Sequence, residues 1–187
     1  MSRRDNYKLK KRWEDYGDLW MTPERVAIEI IEYFKPYGKI LEPCKGTGNF
    51  YRNLEGADWC EISEGRDFFL YSKKMDWIIT NPPYSILSKF MEKCWKVADN
   101  VVLLVLAGAI WNSYKRVREW KREGMGLHTL YCLKPPPELP QIGRPFAAVY
   151  WKRDYDGPVE MVNEGNWGEK REKNPRQKKF DLGGKPW

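Results

Sequence analysis

The chain has 187 residues, 42% of them hydrophobic and 32% charged, with a formal net charge of +7. That length and apolar content suit one globular domain with a real core and exclude a disordered chain. No apolar run approaches the roughly 18 residues of a membrane span, and the sequence reads as a cytoplasmic protein without a signal peptide. Cys44, Cys60, Cys94 and Cys132 have no C-x-x-C spacing, and His128 is the single histidine. No metal site and no disulfide scaffold is expected, and the thiols are expected to be reduced.

The charge is unevenly placed. Residues 1–12 carry six basic side chains against Asp5, and residues 115–122 carry Lys115, Arg116, Arg118, Lys121 and Arg122 against Glu119. Two such segments suit a polyanion, most simply nucleic acid. Residues 1–19 are predicted to be a basic arm. A helix then opens at Met21-Thr22-Pro23-Glu24, with Thr22 as N-cap and Pro23 in the first turn. Val26, Ala27, Ile30, Ile31 and Phe34 share one face, and Pro36-Tyr37-Gly38 ends the helix.

Lys39 to Glu42 is a short apolar strand running into Pro43-Cys44-Lys45-Gly46-Thr47-Gly48, with a short helix predicted through Tyr51 and Leu54. A glycine turn between strand and helix lets a ligand approach the backbone at a helix N-terminus. Glu61 follows Glu42 by 19 residues, at the end of the apolar stretch Asp58 to Ile62. Nucleotide-binding α/β folds place there the acid that takes the ribose hydroxyls. Turn and spaced acid together point to a nucleoside ligand.

Only thirteen residues separate Ile62 from Asp76. That leaves no room for a helix, a strand and another helix, so the sheet is predicted to be trimmed here, with Asp67-Phe68-Phe69 in a short strand or loop. Asp76 to Thr80 reads as a buried strand that stops at Asn81-Pro82-Pro83-Tyr84. Two prolines cannot continue a strand, and Asn81 before them is kept extended. The carbonyls of Asn81 and Pro82 are thereby held beside a Tyr ring, a rigid acceptor pair and a stacking platform suited to a planar amine.

Residues 85–98 have helical periodicity, and Val101 to Leu106 reads as a central parallel strand. A basic helix is predicted over 112–123 and strands over 127–133 and 146–152, joined by the proline-rich Lys134 to Pro145. From about Asp154 the chain turns polar. The expected organisation is a basic arm (1–19), one α/β domain (20–153) and a polar tail (154–187).

Ile40-Leu41-Glu42-Pro43-Cys44-Lys45-Gly46-Thr47-Gly48-Asn49-Phe50 followed by Asn81-Pro82-Pro83-Tyr84 resembles the S-adenosylmethionine-dependent amino-methyltransferases. The closest group is the DNA adenine-N6 type. The resemblance covers roughly residues 20–112 and implies a Rossmann-like class I methyltransferase fold with a mostly parallel sheet, trimmed between its second and fourth strands. It implies S-adenosyl-L-methionine as cofactor, its methionine end held by Glu42, by the backbone from Pro43 through Cys44 and Gly46 to Gly48, and by Thr22. Glu61 would bind the ribose, Ile62 and Phe68 would flank the adenine, and Asp67 would accept from its amine. Asn81 and Pro82 would accept from the target amine, with Pro83 stiffening the turn and Tyr84 stacking on the base.

A base inside a duplex cannot reach such a pocket, so the resemblance also implies flipping. Trp111 and Phe146 are the candidates to cover the second face of the base, and Lys115, Arg116 and Arg118 the candidates to contact nucleic acid. The Asn-Pro-Pro-Tyr motif alone is shared with enzymes that methylate RNA adenine, guanine N2 or a protein glutamine; the alternatives are the same chemistry on RNA adenine, cytosine N4 or a protein glutamine, and a non-catalytic nucleic-acid-binding subunit. No separate target-recognition domain is present in the sequence, so DNA (or RNA) and a partner supplying specificity are the expected partners.

Overall fold

The computed structural model describes residues 20–111, 113–134, 138 and 145–163. The predicted arm, most of the proline-rich loop and residues 164–187 lie outside them. Alternating apolar residues build a sheet covered on both faces. In β3 (Met75–Thr80) and β4 (Ala98–Leu106), Ile78, Val101, Leu103 and Val105 enter one core, and Trp77, Ile79, Val102, Leu104 and Leu106 enter the other. This is the period of two expected of a strand, with neither face left to water.

Helix α1 (Glu24–Phe34) covers one face with Val26, Ala27 and Ile30. Helix α2 (Leu87–Val97) covers the other with Phe90, Met91, Cys94 and Trp95, and α3 (Tyr114–Arg122) joins it there through Trp120. The remaining strands are β1 (Ile40–Glu42), β2 (Asp58–Trp59), β5 (Met125–Leu133), β6 (Phe146–Arg153) and β7 (Glu160–Asn163). The order across the sheet is β2-β1-β3-β4-β6-β5-β7. Strands β2, β1, β3 and β4 are mutually parallel, whereas β6 runs antiparallel to both β4 and β5.

The trimmed region is as predicted. Between β2 and β3 the chain makes two 3₁₀ turns, Ile62–Glu64 and Phe68–Leu70, and no helix. A polar knot holds this connection. Asp58 accepts from Arg66 Nη2 at 2.6 Å, the Tyr71 hydroxyl at 2.9 Å and Lys73 Nζ at 3.3 Å. Burial alone would raise the Asp58 carboxyl, but donors led by Tyr71 bring it down to about 2. The Trp59 ring lies between Lys45 (3.8 Å) and Arg66 (4.1 Å), so a short edge strand is clamped by cation–π contacts.

Three local expectations shift. Pro23, not Thr22, is the residue before α1, and no side chain caps that helix. The chain after the glycine turn makes a single 3₁₀ turn, Tyr51–Asn53, where a short helix is predicted. Gly56, at a φ of 70°, ends any continuation. The sheet also reaches beyond Arg153: Glu160–Asn163, placed by sequence in the polar tail, pair in parallel with β5.

Arg153 closes the far end of the domain. Its guanidinium donates to the carbonyls of Trp95 (2.6 Å), Ala98 (3.1 Å) and Glu123 (2.9 Å) and to Asp99 at 2.5 Å. It thereby satisfies carbonyls left open where α2 and α3 end. Arg153→Ala is expected to lower stability by about 2 kcal/mol in urea denaturation, with Arg153→Lys intermediate.

Candidate active site

Parallel pairing of β1 with both β2 and β3 brings their carboxyl ends to one edge, where open α/β sheets bind ligands. The turn after β1 is held in place by its neighbour. The Cys60 amide donates to the Glu42 carbonyl and the Lys45 amide to the Cys60 carbonyl, each at 2.9 Å. Gly46 and Gly48 have φ of 51° and 86°. A Cβ at Gly46 would meet only the movable end of the Met21 side chain, so it is the left-handed backbone that calls for glycine in this turn.

Between this turn, the loop after β2 and the start of Asn81-Pro82-Pro83-Tyr84 lies a cleft of about 540 Å³. Of the residues predicted to hold a cofactor, Thr22, Cys44, Gly46, Glu61 and Ile62 line it. Glu42, Pro43 and Gly48 sit behind the wall, buried. Asp67 and Phe68 do not line it: Asp67 caps the Phe68–Leu70 turn through the Phe69 amide (2.8 Å), and Phe68 is buried with its ring 4.9 Å from Phe90. The compressed β2–β3 connection thus directs Phe68 into the core beneath α2.

Asn81 and Pro83 line the same cleft. Asn81 Nδ2 donates to the Trp20 carbonyl at 2.8 Å, which fixes the amide's orientation. Its Oδ1 is buried without a hydrogen-bond partner among the described residues. A buried amide oxygen left unpaired costs roughly 1–3 kcal/mol, so an acceptor is held here at a cost to stability. Pro82 is buried. Tyr84 anchors its hydroxyl on the Leu104 carbonyl (3.2 Å), its ring 5.9 Å from Trp20 and tilted by 52°.

The two acids behave differently. Glu61 Oε2 accepts from the Gly46 amide (2.8 Å), and Oε1 from the Ser63 amide (3.1 Å) and hydroxyl (2.8 Å). Partial burial alone would raise it, but these donors lower its pKa and it stays ionised. Three of about four lone-pair sites are used, leaving room for a further hydroxyl. Glu42, 1% exposed, accepts from the Cys44 amide at 3.1 Å. Burial pushes it up to about 8, against the Thr80 hydroxyl and the Cys44 amide, with Glu61 adding to the rise.

The proposed nucleic-acid residues divide. Lys115 and Arg118 are exposed on α3, with Lys115 paired to Glu119 at 3.4 Å. Arg116 turns inward, donating to the Ala109 carbonyl and to Ser88 Oγ (3.1 Å). Trp111 is 56% exposed and packs edge-on against Trp120 at 6.4 Å. Phe146 is buried in the core between Leu106 and Leu133, so it lines no cleft and cannot cover a base. Sequence reasoning missed Trp20, which lies beside both Asn81 and Tyr84. Its adjacency to Thr22-Pro23 was the only available signal.

No protein-family model matches the sequence, and no curated protein matches it. Solved structures do. One is a Listeria monocytogenes protein assigned to the class I S-adenosylmethionine-dependent methyltransferases, with a TM-score of 0.60, 16% identity and 79% of this chain covered. Another is a Vibrio vulnificus protein assigned as the modification subunit of a type I restriction enzyme, with a TM-score of 0.57, 16% identity and 84% covered. A third is the M protein of the type I restriction enzyme EcoKI, with a TM-score of 0.53, 12% identity and 75% covered. The chain thus has the α/β fold of the class I S-adenosylmethionine-dependent methyltransferases. It spans 66%, 50% and 45% of those three chains, less than two thirds of each.

Glu42 makes stability depend on pH in a defined direction. Between the ordinary glutamate value of 4.5 and about 8, the folded state holds a proton that the unfolded state has released. Stability contributed by this group is therefore lost as pH rises, by up to about 1.4 kcal/mol per unit. In urea denaturation, Glu42→Gln is expected to remove that slope and to be the more stable form at pH 8; parallel pH profiles would place the proton elsewhere.

Proposed function

We propose that the protein transfers a methyl group from S-adenosylmethionine to the exocyclic N6 amine of adenine in DNA, with the base flipped out of the helix. The observation that carries this reading is Asn81: an amide fixed by the Trp20 carbonyl, with its oxygen buried and unpaired at the edge of the cleft. The cleft supports the cofactor assignment. Its volume falls within the usual range of about 300–1,000 Å³ for small-molecule sites. It also combines a glycine turn, an ionised Glu61 and the apolar Ile62 and Ile86. When bound there, S-adenosylmethionine supplies an electrophilic methyl group on a sulfonium.

The chain's own residues do the rest by positioning. An adenine amine is a weak nucleophile because its lone pair is delocalised into the ring. Acceptance by Asn81 Oδ1 and by the Pro82 carbonyl turns that lone pair out of the ring plane toward the methyl group. With the cofactor bound, attack by the amine so presented would form the nitrogen–carbon bond, the electron pair of the broken carbon–sulfur bond would remain on the thioether, and the surplus proton would leave the product amine to water. No general base is required before transfer. Tyr84 stacks on the base, offsetting roughly 1–3 kcal/mol of the cost of flipping.

Trp20 replaces Phe146 as the second ring near the base, since it stands against both Asn81 and Tyr84. The basic face of α3 attracts the polyanion. Two of the structures the chain resembles are modification subunits of type I restriction enzymes, which favours a partner that supplies target recognition.

The test is transfer of labelled methyl to unmethylated DNA, with RNA in parallel, followed by nucleoside analysis. N6-methyladenine in DNA is expected; label in RNA alone would move the substrate to RNA. Asn81→Ala is expected to reduce transfer on the order of a hundredfold or more, with cofactor affinity nearly unchanged. An active Asn81→Ala protein would remove the role assigned to the amide.

A further inference from the structure

A second cavity, of about 510 Å³, adjoins the cofactor cleft, and Ile86 lines both. Its wall runs from Tyr84 through Ser85 and Ser88 to Lys89, and Ala109 and Arg116 close the other side. Two cations therefore face a space that begins at the tyrosine of the Asn81-Pro82-Pro83-Tyr84 motif. Among the described residues neither Lys89 nor Arg116 has a carboxylate within ion-pair distance. The acid that acts most strongly on Arg116 is Glu119, which is paired instead with Lys115.

Arg116 is also preorganised. It reaches back from the first turn of α3 to the Ala109 carbonyl and to Ser88 Oγ at 3.1 Å, which locks the guanidinium plane across the cavity floor. Its Nε is buried and unpaired. A half-buried guanidinium whose hydrogen bonds go only to neutral acceptors, with Glu119 acting from beyond ion-pair distance, is a costly arrangement unless an anion completes it. Lys89 adds to that cost, because it sits in the first turn of α2, where the helix dipole favours negative charge and no acid is present. Both cations therefore raise the potential of the same cavity, with the Ser88 hydroxyl as a further donor.

Resting on the reading given under Proposed function, we propose that this cavity binds the phosphodiester of the target nucleotide. Arg116 and Lys89 engage its oxygens while Tyr84, on the side toward Asn81, takes the attached base. The backbone is thereby gripped at the flipped nucleotide itself, which orients the amine for Asn81. Lys115 and Arg118 face solvent on the same helix and contribute only general attraction.

The experiment measures binding of the full chain to a short oligodeoxynucleotide over a range of salt, for the wild type and for Lys89→Ala and Arg116→Gln. Each variant is expected to weaken binding about tenfold or more and to flatten the log–log salt dependence by about one unit, with S-adenosylmethionine affinity unchanged. Lys89 is exposed, so its variant keeps the test informative if Arg116→Gln unfolds. A nucleoside arm separates the phosphate from the base: 2′-deoxyadenosine, which lacks phosphate, should respond to neither variant. Oligonucleotide bound and methylated by both variants as by wild type would overturn this subsite and leave the methyltransferase reading intact. Inorganic phosphate that binds the cavity without displacing the oligonucleotide would also overturn it, as a site for free anions. Wild-type protein that neither binds nor methylates nucleic acid would overturn the functional reading, and the subsite with it.

Discussion

The parallel pairing of β1 with β3 is the constraint on which the site depends. Ile40 stands opposite Trp77 and Leu41 opposite Ile78, so the two strands end side by side. The glycine turn leaves one of them and Asn81-Pro82-Pro83-Tyr84 the other, and each turn is stiff for its own reason. Positive φ at Gly46 and Gly48 holds the first, and two fixed proline rings hold the second. Two reactants bound at these turns are brought together by strand register alone, before any side chain chooses a ligand. Trp20 then ties the segment before α1 to the second turn, completing the rim.

Losing a helix and a strand between β2 and β3 leaves a two-residue edge strand with little ladder to hold it. The polar knot at Asp58 and the clamped Trp59 ring replace that missing support. Lys45 belongs to both arrangements. It sits over Trp59, pairs with Glu64 at 2.5 Å and lines the cleft beside Gly46. The shortening therefore places the edge-strand clamp and the glycine turn in mechanical contact.

What the sequence made legible follows from how local each signal is. Alternating apolar residues in β3 and β4, the helical stripe of α1 and the double proline act within a few residues, and they placed the sheet, its trimmed region and the Asn81 turn. Glu61 was legible because strand–turn–strand spacing constrains it. Phe146 and Phe68 were not, since an aromatic in a strand or loop reads the same whether it faces a ligand or a core. Trp20 was hidden differently: its contacts are made by a chain segment 61 residues from Asn81. β7 was hidden because only Met161 and Val162 are apolar in a polar stretch, and its pairing with β5 is supplied by a neighbour distant in sequence.

The distribution of unsatisfied groups separates cost incurred for packing from cost incurred for chemistry. The indole N–H groups of Trp77, Trp95 and Trp151 are buried without partners, but each belongs to a large ring whose burial outweighs a missing hydrogen bond. Asn81 and Thr80 bring no comparable apolar surface, yet their oxygens are equally unpaired. Both lie at the carboxyl end of β3, Thr80 beside the buried Glu42 carboxyl. At the margins Arg153 finds four acceptors and Asp58 four donors, whereas Arg116 Nε is buried without a partner like the two oxygens. Of the two, Asn81 lines the cleft and Thr80 does not, so the amide oxygen is the unmet acceptor that stands nearest a ligand's place.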